Sequence, residues 1–219
     1  MYESGRSLTC GQQTKEADLL GAVAYWCEFL HNKATARAAL EDIVLGLEAE
    51  AIALSRVSRQ IGGDHNVVVY DRVAGGQPGG NALDRSFARS VLGEYLDKPK
   101  PGSIWLRSMI EDKLDPSLGL FHRSRNLSEL VVIPLEIGDK KNDFIEVHFP
   151  FKLQLHNHAV LSMLADTLAR TWHNRSPGTF TEKVLKRRTQ DVGATLPVPI
   201  LSAENPARLS RAEYRVCLL

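Results

Sequence analysis

The chain predicts an α+β fold built on a mainly antiparallel sheet, and three observations carry that expectation. Two stretches, Glu48 to Arg72 and Leu130 to Phe149, each hold two β-type segments joined by a short glycine-bearing connection. Amphipathic helical stripes stand before the first pair and after the second, with short irregular helices between the pairs. The order lacks the alternating strand and helix crossovers of a doubly wound sheet.

Residues 1–15 are polar and without periodicity, so they form a loose lead-in to a domain over 16–175. From Glu16 the positions Leu19, Val23, Trp26 and Leu30 recur at helical spacing, and Asn32 closes that helix. A second helix over 35–47 turns Leu40, Ile43, Val44 and Leu47 to one side and feeds the first strand. In that strand Ala49, Ala51, Ala53 and Val57 alternate with Ile52, Leu54 and Arg56. Small residues on one face suit a closely packed helix. The next strand is apolar on both faces through Val67, Val68, Val69 and Tyr70, which places the pair inside the sheet after a tight Gly62-Gly63-Asp64 connection.

The run 73–82 has four glycines and a proline and is a surface loop. It lacks the spacing of a phosphate cradle. Asp84 caps a helix bearing Phe87, Val91, Leu92 and Tyr95, which ends at the Lys98-Pro99-Lys100-Pro101 break. Ser103 opens a short helix through Trp105, Leu106, Met109 and Ile110, and Asp115-Pro116 opens another carrying Leu120 and Phe121. The second hairpin turns over 138–142. Pro134 costs it a ladder bond and marks an edge or a bulge. Ile145, Val147 and Phe149 give its last strand one apolar side, opposite Phe144, Glu146 and His148. A long helix over 155–174, with Leu161, Leu164, Ala165, Leu168 and Trp172 in one stripe, closes the domain. Residues 176–208 then read as a linker containing the basic cluster Lys183, Lys186, Arg187 and Arg188.

Composition narrows the function classes. With 219 residues and 43% hydrophobic content the chain can bury a core, and a net charge of +1 supplies no global pull toward nucleic acid or an anionic membrane. Three widely spaced cysteines, no signal-peptide pattern and no apolar run of membrane-spanning length point to the cytoplasm and to no membrane contact. The metalloprotease, nucleophile-elbow, P-loop and C-x-x-C patterns are absent, so no metal, no cofactor and no enzymatic activity are expected. Cys27 and His31 lie four apart on one helical face, where Trp26 and Leu30 suggest ordinary packing, and His156 and His158 diverge at a helix start.

The last eleven residues carry the most specific pattern. Ser210 and Glu213 form an S-x-x-E capping box behind Leu209, with Tyr214 at the staple position, so a helix starts here and reaches Leu219 without a closing signal. Leu209-Ser210-Arg211-Ala212-Glu213-Tyr214 and the apolar run after it resemble the opening of the helix-turn-helix domain of LuxR-type transcriptional regulators. Upstream, Ser55-Arg56, Val69-Tyr70-Asp71, Asp84-Arg85-Ser86-Phe87-Ala88, Gly102-Ser103-Ile104-Trp105 and the stretch from Trp172 to Gly178 resemble the GAF-like sensory region of such regulators.

That resemblance implies an antiparallel sheet with helices on one face and a ligand pocket on the other, and a homodimer. Residues 209–219 would then be the start of a DNA-binding domain, with Ser210, Arg211 and Glu213 at its cap, and DNA would be read only by a recognition helix beyond Leu219. The Trp-x-x-x-Tyr-Asp signature of the acyl-homoserine-lactone-binding regulators is broken, because Asn66 stands four residues before Tyr70. For a small-molecule ligand the candidate residues are Arg56, Tyr70, Trp105 and Phe121, charged or aromatic groups expected near the uncovered face. Arg56 would hold an anion or pair with Glu50 or Glu146. A stand-alone small-molecule-binding or protein-interaction domain is the alternative reading, and an enzyme on the same fold the least favoured.

Overall fold

Alternation along five strands sorts the chain into two layers, one on each side of a single sheet. The structure, a computed structural model, describes residues 10–60, 65–73, 83, 85–109 and 115–180, with 10–17, 65 and 66 described by backbone alone. These lie in the first of the two units into which the chain divides, Met1–Leu185. The expected Gly62-Gly63-Asp64 connection, the Asp84 cap and everything beyond residue 180, including Ser210, Arg211 and Glu213, fall outside the described residues.

Helix α1 (Cys10–Leu30) begins six residues before the expected start and closes at Asn32, whose φ of 60° suits a residue that tolerates the left-handed region. Thr35 caps α2 (Ala36–Gly46) by accepting the Ala38 amide at 3.2 Å. Strands β1 (Ala51–Ser58) and β2 (His65–Asp71) follow, then α3 (Ala88–Leu92), which runs into a 3-10 turn over Gly93–Tyr95. The short helix expected after Ser103 is instead a two-residue strand, β3 (Trp105–Leu106), and a 3-10 turn over Arg107–Met109. Its pairing with Val131 and Val132 outweighs a local pattern too short to define a period. Helix α4 (Pro116–Ser124) starts as expected, with Asp115 as cap. Strands β4 (Glu129–Ile137) and β5 (Lys141–Phe149) and helix α5 (Leu155–His173) complete the element order.

The sheet runs β2-β1-β5-β4-β3 and every pairing is antiparallel. The class is therefore α+β, as the element order predicts. Two details differ from the expectation. Strand β2 is an edge, which leaves Val67, Val69 and Tyr70 half-buried, so its apolar character on both faces does not mark an interior strand. Strand β4 is interior, and Pro134 is accommodated by a shift in register between Pro134 and Glu136.

On one face α1, α2 and α5 cover Ile52, Leu54, Val131, Ile133, Ile145 and Val147. Trp26 of α1 stacks on Trp172 of α5 with ring centroids 5.6 Å apart, and its indole N–H donates to Thr171 Oγ1 at 2.9 Å. On the other face α3 and α4 cover Ala51, Ala53, Leu130, Val132 and Phe144. Ala49, expected beside Ala51, belongs to the first layer, because the chain turns at Glu48 (φ 54°) and the strand begins only at Ala51. Gly102 lets the chain cross α5: its φ is 77° and a Cβ there would sit 3.1 Å from the Asp166 Cα. Residues 176–180, which composition alone assigns to the linker, pack on this body. The Ser176 amide and Thr179 hydroxyl both donate to the Leu30 carbonyl, and Phe180 is buried edge-on to Trp172.

Trp26 is fully buried at the α1–α5 contact, so Trp26→Ala removes a large side chain that nothing nearby can replace. A loss of about 3–5 kcal/mol is expected from urea unfolding at unchanged m-value. A loss below about 1 kcal/mol would show that α1 does not pack as described.

Candidate ligand-binding site

Register places polar side chains side by side on the face covered by α3 and α4. One row across the sheet reads Asp71, Ala51, His148 and Leu130. The next reads Val69, Ala53, Glu146, Val132 and Trp105, and the one after it holds Ser55 and Phe144. Glu146 and His148 are both fully buried, flanked by the two small side chains of β1.

Glu146 is surrounded by donors. The Ser55 hydroxyl donates at 2.6 Å, the Phe87 amide donates at 2.6 Å, and the Ser86 hydroxyl makes a third short bond. Phe87 caps α3 without a side-chain hydrogen bond of its own, so a carboxylate from the sheet serves the first turn in its place. Burial pushes the Glu146 carboxyl up from its ordinary value, and the hydrogen bonds from Ser55, Ser86 and the Phe87 and Ala88 amides pull it back.

His148 meets a second imidazole. Asp115 and Pro116 start α4 so that Leu118, Phe121 and His122 share its buried side, and His122 Nε2 lies 3.0 Å from His148 Nδ1. The guanidinium of Arg107, placed by the 3-10 turn after β3, reaches His122 Nδ1 at 2.8 Å. Phe121 and Phe87 stand edge-on to the His148 ring, with centroids at 5.2 and 6.2 Å. Arg125 pairs with Asp71 and lies over the Phe121 ring. Burial, with Arg107 beside it, holds His122 down to about 4, and burial together with His122 and Arg107 holds His148 well below the usual imidazole value. Both rings are neutral near pH 7.

Of the four residues singled out in the sequence, Trp105 and Phe121 belong to this side, and Arg56 and Tyr70 do not. Tyr70 stands opposite Ile52, points to the α2 side and donates to Glu41 at 3.0 Å. Arg56 shares the side of Ile52 and Leu54. Its partner is neither Glu50 nor Glu146 but Asp143, gripped through Nε and Nη2 at 2.7 Å each. It also donates to the Phe180 carbonyl at 2.9 Å, and with Glu136, His173, Arg175 and Phe180 it lines a cleft of about 360 Å³. Trp105 donates its indole N–H to Ser103 Oγ at 3.0 Å, and Phe121 is buried against the imidazoles. Cys27 and His31 are joined only through helix backbone. Among the described residues no group of three or more His, Cys, Asp or Glu side chains is placed to hold a metal ion.

Sequence reasoning passed over His122, Arg107, Ser86 and the burial of Glu146. One signal for His122 was available, since it lies four residues after Leu118 and so shares its helical face. Nothing local marks Arg107 or Ser86, which matter only through partners 15 and 60 residues away.

No family model matches the chain, and no curated protein matches it. Among solved structures it is similar to the GAF domain of a two-component sensor histidine kinase from Bacillus halodurans, at 18% identity and a TM-score of 0.39 over 62% of this chain and 94% of that one. It is also similar to the phycoerythrobilin-bound GAF domain of a cyanobacterial phytochrome, at 15% identity and a TM-score of 0.44 over 72% of this chain and 93% of that one. Among the described residues no helix is long and apolar enough to cross a membrane.

The two depressed imidazoles make stability depend on pH with a definite sign. The unfolded chain takes up protons as pH falls through about 6.5, whereas folded His122 does so only near 4 and folded His148 is held well below its ordinary value, so the unfolded state binds more protons as pH falls below 6.5. Stability is fully present above the unfolded value and is lost as pH falls. Each histidine adds a slope of roughly 1.4 kcal/mol per pH unit. Urea titrations at a series of pH values should show this slope smaller in His148→Leu than in the parent, a difference from which the opposing response of Glu146 cancels. An unchanged slope would mean that folded His148 carries a charge.

Proposed function

We propose that this chain is the sensory part of a cytoplasmic transcriptional regulator, a GAF-like domain that binds a small molecule against the α3–α4 face of its sheet, with a DNA-reading unit that starts at Leu209. One observation carries the sensory half. Glu146 and His148 of the sheet lie buried beneath α3 and α4, with His122 of α4 buried against His148, where a sheet that only needed packing would carry apolar side chains. The regulatory half is supported by the Ser210 and Glu213 capping box and the apolar run that follows it.

The domain senses rather than catalyses. Among the described residues of this face the two imidazoles are engaged with each other and with Arg107, Ser55 and Ser86 donate to Glu146, and Ser90 donates to Asp115, an arrangement that speaks against a serine paired with a histidine base. A second copy of the chain is the partner we assign to the outer side of α1, where Leu20 and Tyr25 are exposed.

Following the reading frame of the source gene past codon 219, and testing the longer product by gel shift on DNA from upstream of its own gene, checks the regulatory half. A helix-turn-helix unit with basic residues on its recognition helix, and a retarded band that fades as salt is raised, are expected. A frame that closes directly after Leu219, or a longer product that retards no DNA at low salt, would leave a stand-alone small-molecule-binding or interaction domain.

A further inference from the structure

Three side chains fix the direction of every proton between Arg107 and the centre of the sheet. A guanidinium can only donate, so at 2.8 Å it makes His122 Nδ1 an acceptor. A neutral His122 then carries its proton on Nε2 and donates it to His148 Nδ1 at 3.0 Å. His148 in turn carries its proton on Nε2, and that atom is buried without a hydrogen-bond partner. The chain of donors runs one way and ends on a free N–H.

We propose that His148 Nε2–H is the recognition donor of the sensory site, and that the ligand is a small, largely apolar molecule presenting one oxygen acceptor, a carbonyl or a carboxylate, to it. This deepens the sensory reading above and rests on it. A buried donor without an acceptor destabilises the fold, a cost it would shed if the residue were apolar. The surroundings set the rest of the ligand's chemistry. Phe87, Phe121 and Leu130 are the neighbours of the ring, so the body of the ligand is apolar. The cationic end of the relay at Arg107 strengthens the terminal donor, which favours oxygen over weaker acceptors. A cation is disfavoured by the N–H itself. A metal ion is disfavoured because ligation by Nε2 would need the opposite tautomer, which Arg107 forbids as long as it holds His122.

The test uses the 219-residue chain with ¹⁵N-labelled histidine, read by long-range ¹H–¹⁵N correlation NMR without DNA. In the ligand-free chain His148 should show a protonated Nε2 and an unprotonated Nδ1, and Arg107→Met should turn this single tautomer into a mixture. Benzoate or acetophenone at millimolar concentration should move the Nε2–H proton downfield, whereas benzylammonium and Zn²⁺ should leave it in place. His148→Phe should weaken the oxygen probes at least tenfold. A proton on His148 Nδ1, an Nε2–H signal that no oxygen probe moves, or a Zn²⁺-bound Nε2 would each overturn the proposal. Because no DNA is present, a failure here is separate from a failed gel shift.

Discussion

Strand β5 ties both layers of the molecule to the sheet, and it does so through two carboxylates that alternation sends to opposite faces. Asp143 collects the fork of Arg56 and the indole N–H of Trp172 on the α5 side. Glu146, three residues on, collects Ser55, Ser86 and the Phe87 amide on the α3 side. A buried charge is expensive to desolvate and is tolerated only when donors saturate it. Each carboxyl group is therefore a constraint as well as an attraction, since the helix end or strand that supplies a donor cannot leave without stranding a buried polar oxygen. The Arg56 ring contact with Phe180, at 4.8 Å, extends the Asp143 cluster to the last described residue of the chain.

The helices facing Asp143 were legible because their apolar stripes are long. Leu161, Leu164, Ala165, Leu168 and Trp172 repeat over three turns, and each is buried in the structure. Strand β3 was not legible, since two residues define no period and only the partner strand makes them a strand. The candidate site was half legible. Alternation already separated Arg56 from Ala53, which shows in hindsight that Arg56 faces away from Glu146. Placing Tyr70 needed the register of β1 against β2, in which Ile52 stands opposite Tyr70, and a connection read only as short does not set that register.

Charge misled the reading of β5 in a way that follows from its energetics. Phe144, Glu146 and His148 alternate with Ile145, Val147 and Phe149, a pattern that ordinarily means one wet face. Here the polar face is buried more deeply than the average core residue, because α3 begins on Glu146 and α4 lays His122 on His148. Both partners come from helices of nine residues or fewer, whose own sequence gives little warning of where they dock. A buried polar strand face is visible only when its partners are.

Under the proposed sensory reading, the cost of the unmet His148 N–H has a use. An unmet N–H costs about 1–3 kcal/mol, the same range as the coupling free energies by which one site influences another. A ligand that supplies the acceptor recovers that cost only while it is bound, so occupancy changes the stability of the α3–α4 face by an amount that matters without locking it. Arg107 preserves the arrangement across neutral pH, because both imidazoles stay neutral and the donor direction cannot reverse. Near pH 4 the same chain becomes a liability, as protonating His122 sets a second cation against Arg107 at the 2.8 Å contact. The relay is thus specified for an oxygen acceptor at neutral pH, and a substitution of Arg107 removes the specification while leaving every imidazole in place.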